Sequence, residues 1–438
     1  VMYTSGSTGE PKGVVQTHRM MNNLVRAQAQ QFDVSSPLAT LQFAPVTFDA
    51  SIHELATCWL TGGKLVMLSE HQKEDLPSLH KVLASEHIER IFIPPAVLNV
   101  VAESIQLDSV ELPYLREVFA SGEALVLSES LAEFLTSHPA CRLFNYYGPT
   151  ETHVVTGGLV SDYRVGAAPP IGRPLMNVSC RVLDKYLGEV PFGATGELYV
   201  SGPCLADGYL NRRELTNERF VKNPVHPGER MYKTGDLVRW LPDGQLEFVG
   251  REDHQIKLRG FRIECSEIEH FLCAHPKVSK AIVRVMGEGQ DKRLFAYVTV
   301  PACDVSNQEV ESQIRQVLVN NLPYYMVPDK VIAIAQFPFS HNGKIDIEQL
   351  PNPLEVEQES HGRRKNALES RLSELWGRLL KCDANTINPE SDFFSLGGHS
   401  LLAARMVNHV RSEFSKDLAL SEVFENPTLQ RVAVLLEN

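Results

Sequence analysis

The sequence lacks several features that mark particular classes of protein. Its eight cysteines stand apart, with no C-x-x-C pair and no cysteine–histidine cluster spaced like a metal site. Isolated cysteines are typical of reduced thiols, so we expect a cytoplasmic protein and not a disulfide-rich secreted one. Basic residues are also in short supply, 42 against 54 acidic ones. The net charge of −12 argues against nucleic acid as the main partner, because phosphate binding needs a basic surface.

Long apolar runs are missing as well. No stretch approaches the ~18 apolar residues of a membrane-spanning helix, and no cationic segment followed by an apolar one marks a secretory signal. We therefore expect no membrane association. The chain opens inside a predicted strand, without an initiator methionine or a helix cap. We interpret it as a fragment that lacks upstream sequence.

Local patterns divide the 438 residues into several predicted domains. Residues 1–252 alternate short β-branched strands with amphipathic segments, which is typical of an α/β layered fold. Residues 253–350 show a compact α+β pattern, and a polar, proline-containing linker follows at 351–362. Residues 363–438 carry leucines at helical spacing and predict a small helical bundle.

A glycine-rich segment lies near the start of the chain. Residues 3–13 read YTSGSTGEPKG and combine glycines, hydroxyl side chains and Lys12. Glycines let backbone N–H groups close round a phosphate, and a lysine adds a positive charge. The segment is not a Walker A loop, because Lys12 is followed by glycine instead of serine or threonine. Taken alone, a flexible serine–glycine turn remains an alternative interpretation.

Further motifs follow the glycine-rich segment along the whole chain. They are FDAS at 48–51, NYYGPTE at 145–151, GELYVSG at 196–202, YKTGD at 232–236, GREDHQIKLRG at 250–260 and NGKID at 342–346. With the glycine-rich segment, their order and spacing resemble the adenylation domains of nonribosomal peptide synthetases, which are members of the adenylate-forming superfamily. DFFSLGGHS at 392–400 resembles the peptidyl carrier motif of the same synthetases.

The resemblance implies a fold and a reaction. The fold is an α/β multidomain protein: a partial large α/β subdomain, a small α+β C-terminal subdomain, and a four-helix-bundle carrier domain. The reaction joins an amino acid to AMP with ATP and Mg2+, then transfers it as a thioester to phosphopantetheine. An acyl-CoA-ligase-type enzyme is one alternative. A carrier-only docking module with an inactive adenylation domain is another.

The resemblance also assigns nucleotide-site residues. Thr4, Ser5, Gly6, Ser7, Thr8, Gly9 and Lys12 hold the β- and γ-phosphates, Thr150 lies beside the α-phosphate, and Asn145, Tyr147, Gly148, Asp236 and Arg251 complete the ATP/AMP set. Glu151 helps to hold Mg2+, which prefers oxygen ligands. Asp236 accepts hydrogen bonds from the ribose hydroxyls. Lys344 is the catalytic lysine that stabilises charge in the transition state. Asp253 is the hinge between the two subdomains.

The resemblance also implies an amino-acid pocket, made of a second set of residues. Asp49 pairs with the α-ammonium group of the substrate, and the side-chain pocket comprises Ala50, His53, Phe92, Phe119, Ser121, Tyr146, Val154 and Val155. Most of these side chains are apolar, so the substrate side chain is expected to be apolar too. Tyr146 is large, which favours a proline-like or aliphatic substrate over an aromatic one. His53 has two open interpretations, a packed core histidine or a polar group of the pocket.

Ser400 is the expected phosphopantetheine attachment site. It follows Leu-Gly-Gly-His and opens an amphipathic segment, so it is predicted at a helix start, where backbone N–H groups favour a phosphodiester. An ordinary N-cap serine is the commoner meaning of such a position. The expected partners are the amino acid, a phosphopantetheinyl transferase, and neighbouring condensation or thioesterase domains.

Overall fold

The computed structural model describes most of the chain. It covers residues 1–5, 11–69, 72, 78–251, 255–258, 261–287, 292–300, 308–323, 326–338, 349–352, 365–394, 396–398, 400–416 and 418–437. The chain forms two compact units, which divide between Arg262 and Ile263. The predicted domain boundaries, including the linker at 351–362, stay predictions.

The first unit opens on a hairpin and contains a mixed seven-stranded sheet in the order β4-β3-β5-β6-β7-β8-β9. Strands β3 to β7 are parallel, and all but the edge strand β4 are fully or largely buried, which fits the short, continuous apolar runs of the sequence. The strands are β1 (Met2–Thr4), β2 (Lys12–Val14), β3 (Thr40–Gln42), β4 (Leu65–Met67), β5 (Arg90–Ile93), β6 (Glu117–Ala120), β7 (Arg142–Tyr147), β8 (Thr156–Leu159) and β9 (Arg173–Pro174).

Helices alternate with these strands. They are α1 (His18–Phe32), α2 (Asp49–Leu60), α3 (Leu79–Ser85), α4 (Pro95–Asp108) and α5 (Glu129–Ser137). Proline at the first position of α4 suits a helix start, and Ser128 caps α5 by accepting a hydrogen bond from the Leu131 N–H at 3.2 Å. The α/β layering predicted for this region is confirmed.

A five-stranded antiparallel sheet completes the first unit, with β13 at its centre. Its strands are β10 (Ser179–Leu183), β11 (Gly196–Ser201), β12 (Phe220–Lys222), β13 (Arg230–Trp240) and β14 (Leu246–Arg251), and α6 (Arg213–Arg219) precedes β12. Tyr199 on β11 pairs with Lys233 on β13, so the motifs at 196–202 and 232–236 are neighbours in the sheet.

The second unit contains a small α+β part and a helical part. The first has β17 (Lys280–Met286) antiparallel to β18 (Arg293–Thr299), which is parallel to β19 (Lys330–Ile334). The α+β pattern predicted for this part is confirmed. The remaining helices here are α7 (Cys265–Cys273) and α8 (Gln308–Asn321). Before them, β15 (Gln255–Leu258) is the last strand of the first unit, and β16 (Phe261–Glu264) spans the division.

The helical part comprises α9 (Ala367–Leu380), α10 (Ser400–Phe414), α11 (Leu420–Glu425) and α12 (Leu429–Glu437). Asn366 and Glu369 form a reciprocal capping box at the start of α9, with N–H to oxygen distances of 2.7 and 2.8 Å. Trp376 is fully buried and lies edge-on to Phe393, with ring centroids 5.0 Å apart. The predicted bundle, with the apolar face of α9 inside, is confirmed.

Candidate functional site

A buried ion pair joins two of the predicted phosphate-site and metal-site residues. Lys12 opens β2, Glu151 follows β7, and Lys12 Nζ lies 3.3 Å from Glu151 Oε1. The hydroxyl of Tyr209 donates to the same oxygen at 2.7 Å, and Lys12 Nζ lies 4.9 Å from the centroid of the Tyr209 ring. Sequence reasoning missed Tyr209, because it stands 58 residues from Glu151 and no motif pointed to it.

A tight turn holds Glu151 in place. A Cβ atom at Gly148 would come within 1.7 Å of the His153 carbonyl oxygen, so only glycine fits there. The Gln16 side-chain amide donates to the Thr150 carbonyl, and the Ala206 N–H donates to the Glu151 carbonyl, both at 2.9 Å. The turn is therefore fixed by two distant segments of the chain, those of Gln16 and Ala206.

Thr4 lies across the hairpin from Lys12. The two residues are paired in register on β1 and β2. The Thr4 hydroxyl is buried, and among the described residues it has no hydrogen-bond partner. A buried hydroxyl without a partner next to a buried lysine fits a phosphate oxygen as the missing group. Ser5 follows Thr4 and is half-buried, whereas Gly6, Ser7, Thr8 and Gly9 lie outside the described residues.

Asp236 is the centre of a second buried cluster. It lies on β13 with no exposed surface, the Tyr147 hydroxyl donates to Oδ2, and the Arg251 guanidinium donates to Oδ1. Burial raises the pKa of the Tyr147 hydroxyl, and the charge of Asp236 raises it further. Tyr147 thus stays protonated and keeps donating its hydrogen bond to Asp236. The structure therefore brings together Tyr147, Asp236 and Arg251, three residues that the sequence assigned to the nucleotide.

The motif at 196–202 supports this cluster. Glu197 Oε1 accepts the Gly235 N–H at 2.8 Å, and Oε2 accepts the Tyr199 hydroxyl at 3.1 Å. The Thr234 hydroxyl accepts the Asp236 N–H at 3.0 Å. These contacts fix the turn before Asp236 and give the GELYVSG motif a structural role that the sequence did not reveal.

The predicted amino-acid contact Asp49 is the first residue of α2, and Ala50 follows it. Both are half-buried. A carboxylate in the first turn interacts favourably with the helix dipole. Glu54 anchors the same helix, because its carboxylate accepts the N–H groups of Phe43 and Ala44, each at 3.0 Å. The start of α2 is thereby held against the loop that leaves β3.

Four aromatic rings at predicted pocket positions pack against one another. His53 lies 4.5 Å from Phe92 between ring centroids, and Phe92 stacks on Phe119 at 4.6 Å. Tyr146 lies 5.1 Å from Phe119 and is nearly parallel to His53 at 6.0 Å. Val154 packs in this aromatic cluster.

The remaining pocket positions are distributed differently. Val155 packs against Tyr147 in another apolar cluster. Ser121 follows β6 and is half-buried. Asn145, a residue of the predicted nucleotide set, donates its side-chain amide to the carbonyls of Pro169 and Pro170 at 3.1 and 2.9 Å. The structure therefore brings Val154 but not Val155 to the aromatic cluster.

His53 is a packed core histidine, and its role as a polar group of the pocket stays a prediction. It is buried, its Nε2 lies 2.9 Å from Gln28 Oε1, and the Gln28 amide donates to the Thr57 hydroxyl at 2.7 Å. Burial and the nearby His153 hold the pKa of His53 well below its usual range. The ring is therefore neutral, and because Gln28 Oε1 can only accept, Nε2 is the donor.

Ser400 is the first residue of α10, as predicted. The preceding loop needs its glycines, because a Cβ atom at Gly398 would come within 2.2 Å of the Phe393 ring. Gly397 has φ of +113°, a conformation that other residues rarely adopt. The catalytic candidate Lys344 and the hinge candidate Asp253 lie outside the described residues.

In the part of the chain that the structure describes, no helix has the length and apolar character needed to cross a membrane.

Family models match three parts of the chain. The model of the AMP-binding enzymes matches residues 1–210, that of the AMP-binding enzyme C-terminal domain matches 267–344, and that of the phosphopantetheine attachment site matches 370–436.

Curated relatives are similar over essentially the whole chain. Tyrocidine synthase 2 of Brevibacillus parabrevis is 36% identical over 446 residues, which cover 100% of this chain and 12% of that protein. Malpibaldin synthetase of Mortierella alpina is 39% identical over 99% of this chain and 8% of its own length. Phosphinothricin tripeptide synthetase PhsB of Streptomyces viridochromogenes is 39% identical over 99% of this chain and 36% of its own length. The chain thus spans a small part of the relatives that it matches.

Solved structures are similar as well. Holo-PA1221, an NRPS protein that contains adenylation and PCP domains, superimposes with a TM-score of 0.79 at 27% identity. The match covers 100% of this chain and 72% of that one. The amide bond synthetase McbA from Marinactinospora thermotolerans reaches a TM-score of 0.67 at 27% identity, over 78% of this chain and 67% of its own.

Proposed function

The chain belongs to the AMP-binding enzymes, as the adenylation and carrier part of a nonribosomal peptide synthetase, and on this premise we propose that it activates one amino acid with ATP and loads it on its own carrier domain. The buried pair of Lys12 and Glu151 carries the proposal. A pair of opposite charges in the interior gains little stability, because desolvation offsets the attraction. Its position between the glycine-rich segment and the turn after β7 suits phosphate and Mg2+ binding.

Adenylation joins a carboxylate oxygen of the amino acid to the α-phosphorus of ATP, and the bond to pyrophosphate breaks. Lys12 and the Thr4 hydroxyl, with Ser5 and residues 6–9, are proposed to bind the β- and γ-phosphates. Glu151 is proposed to hold Mg2+, which would offset the charge of the phosphates. Thr150 is proposed to lie beside the α-phosphate, where negative charge collects.

The remaining nucleotide contacts come from the Asp236 cluster. Asp236 is proposed to accept the two ribose hydroxyls, with Arg251 and Tyr147 holding its carboxylate in position. The aromatic ring of Tyr147 and the backbone at Gly148 would border the base. Lys344 is proposed to stabilise the transition state, and Asp253 to act as the hinge between the half-reactions.

For the amino acid, we propose that Asp49 pairs with the α-ammonium group. The contacts among His53, Phe92, Phe119 and Tyr146 support a short, apolar side chain, because rings that pack against one another leave little volume beside them. A proline-like or aliphatic amino acid suits this cluster best.

At the carrier, we propose that a phosphopantetheinyl transferase modifies Ser400. Phosphopantetheine supplies the thiol that accepts the aminoacyl group. The position of Ser400 at the start of α10, after a loop that only glycine fits at Gly397 and Gly398, supports this role. Neighbouring condensation or thioesterase domains would then receive the amino acid. The scattered, free cysteines support a reducing, cytoplasmic setting.

The test is amino-acid-dependent exchange of labelled pyrophosphate into ATP, with the native full-length protein and every proteinogenic amino acid plus pipecolate. We expect exchange with one or a few small apolar amino acids, and a loss of several orders of magnitude in Lys344→Ala. Exchange with fatty acids alone would identify an acyl-CoA-ligase-type enzyme. No exchange at all, with Ser400 still modifiable, would leave a carrier-only module.

A further inference from the structure

His153 connects the two ends of the proposed site. It lies two positions after Glu151 in the tight turn, and 4% of its surface is exposed. Its Nε2 lies 3.1 Å from the carbonyl oxygen of Asp49, which is 104 residues away along the chain. No motif of the sequence singled this residue out.

The hydrogen bonds fix which nitrogen carries the proton. The Val154 N–H donates to Nδ1 of His153 at 2.9 Å, so Nδ1 has no proton in this arrangement. Nε2 therefore carries it and donates to the Asp49 carbonyl. The imidazole thus joins the turn to the start of α2 by a hydrogen bond of defined direction.

The backbone of His153 supports this link. Its φ of +55° lies in the left-handed region, which histidine and asparagine adopt more readily than most residues. The same turn closes where the His153 carbonyl contacts Gly148. The ring also lies edge-on to His53, with centroids 5.4 Å apart, so it is packed on the side that faces the aromatic cluster.

We propose that His153 is a positioning residue for adenylation, which holds the backbone of Asp49 in register with Glu151. The inference rests on the proposed function, because the roles of those two residues define what is positioned. The reacting carboxylate of the amino acid must approach the α-phosphorus closely, and small displacements of either end slow such a reaction strongly. One hydrogen bond between the two ends sets that distance.

The test compares His153→Asn and His153→Gln by pyrophosphate exchange with the native full-length protein. Asparagine keeps the left-handed backbone but is too short to reach the Asp49 carbonyl. Glutamine carries an amide N–H at about the reach of Nε2. We expect His153→Asn to raise the KM for the amino acid about tenfold and to lower kcat, with the Kd for ATP alone unchanged. His153→Gln should recover part of the loss.

A matched control is available in the chain. His87 is exposed and also left-handed, with φ of +51°, so His87→Asn makes the same change away from the site and should leave exchange unchanged. Normal kinetics in His153→Asn would overturn the proposal. So would equal losses for amino acid and ATP together with a lowered unfolding temperature, or a glutamine variant no better than asparagine. Wild-type protein without exchange would overturn the proposed function and this inference with it.

Discussion

Lys12 and Glu151 meet in the interior of the protein, with Nζ 3.3 Å from Oε1 and almost no exposed surface on either side chain. Tyr209 completes the arrangement by donating to the same carboxylate oxygen. Breaking such a pair leaves a buried charge without compensation, which costs about 3–5 kcal/mol. The conservative way to probe this cluster is therefore through Tyr209 and not through either charge.

Tyr209→Phe removes one hydrogen bond and keeps the ring under Lys12. We expect the free energy of unfolding to fall by about 1.5–3 kcal/mol, the usual contribution of a hydrogen bond to a charged group. Exchange should fall as well, because the Glu151 carboxylate loses its fixed orientation. Tyr297→Phe is the control, since its buried hydroxyl donates to the Pro351 carbonyl at 2.9 Å in the second unit. Unchanged exchange in Tyr209→Phe would contradict a role for Tyr209 at the site.

Tyr146→Leu tests the size limit of the amino-acid pocket. The ring of Tyr146 packs against Phe119 and His53, and its hydroxyl has no hydrogen-bond partner among the described residues. Shortening this side chain enlarges the aromatic cluster without removing a protein hydrogen bond. We expect exchange to extend to larger amino acids, measured as kcat/KM across the amino-acid set.

Phe134→Leu is the control for that experiment. Phe134 is a residue of α5, and its ring is buried in a different core cluster from the aromatic one. Replacing it by leucine should lower stability but leave the order of substrates unchanged. An unaltered substrate order in Tyr146→Leu would show that Tyr146 does not limit the pocket.

The sequence predicted most elements because their signals are local. Apolar patterns of the local sequence indicate the strands at 280–286 and 330–334. Helical spacing and the glycines before Ser400 indicate the start of α10. His409 stands at helical spacing from Met406 and Val410, yet it is half-buried and its Nδ1 lies 3.2 Å from Glu413 Oε1. Helical spacing cannot tell an edge position from a central one.

The contacts that the sequence could not predict are long-range. Tyr209 to Glu151 and His153 to Asp49 join segments 58 and 104 residues apart. Neither bond leaves a periodic pattern, because each depends on where two segments far apart in the sequence meet in the fold. Motif resemblance named the charged residues of the site, and only the fold identified the polar groups that hold them.

Glu267 predicts a pH effect on stability in the second unit. It is buried at the start of α7, and among the described residues its Oε2 has no hydrogen-bond partner. Burial, and then the charge of Glu264, raise the pKa of Glu267 from the usual 4.5 to about 7. Between these values the folded state binds more protons than the unfolded state, so stability falls as pH rises through this window.

Glu267→Gln removes this titration. We expect the unfolding temperature of the variant to equal that of the wild type at pH 5, where the carboxyl is protonated in the fold, and to exceed it at pH 8. Exposed Glu374 on α9 offers the control, and Glu374→Gln should change the unfolding temperature little at either pH. A variant that is less stable than the wild type at pH 8 would show that the Glu267 charge is compensated in the fold.

Ser400→Ala tests the carrier assignment. A phosphopantetheinyl transferase with coenzyme A should add one phosphopantetheine to the wild-type protein, read as a single mass increase. Ser400 alone in this chain combines the Gly-Gly-His approach with a helix start, so its hydroxyl is the expected nucleophile on the pyrophosphate of coenzyme A. The substitution should abolish the mass increase and leave pyrophosphate exchange intact, because adenylation does not use the carrier.

Two further variants separate loss of the hydroxyl from loss of the helix. Ser412→Ala changes an exposed serine farther along α10 and should be modified like the wild type. Gly398→Ala should slow modification, because its Cβ would collide with the Phe393 ring and displace the loop before Ser400 while the hydroxyl remains. A mass increase that persists in Ser400→Ala, or a wild-type protein that takes no phosphopantetheine, would remove the thioester step and leave an adenylate-forming enzyme followed by a helical bundle.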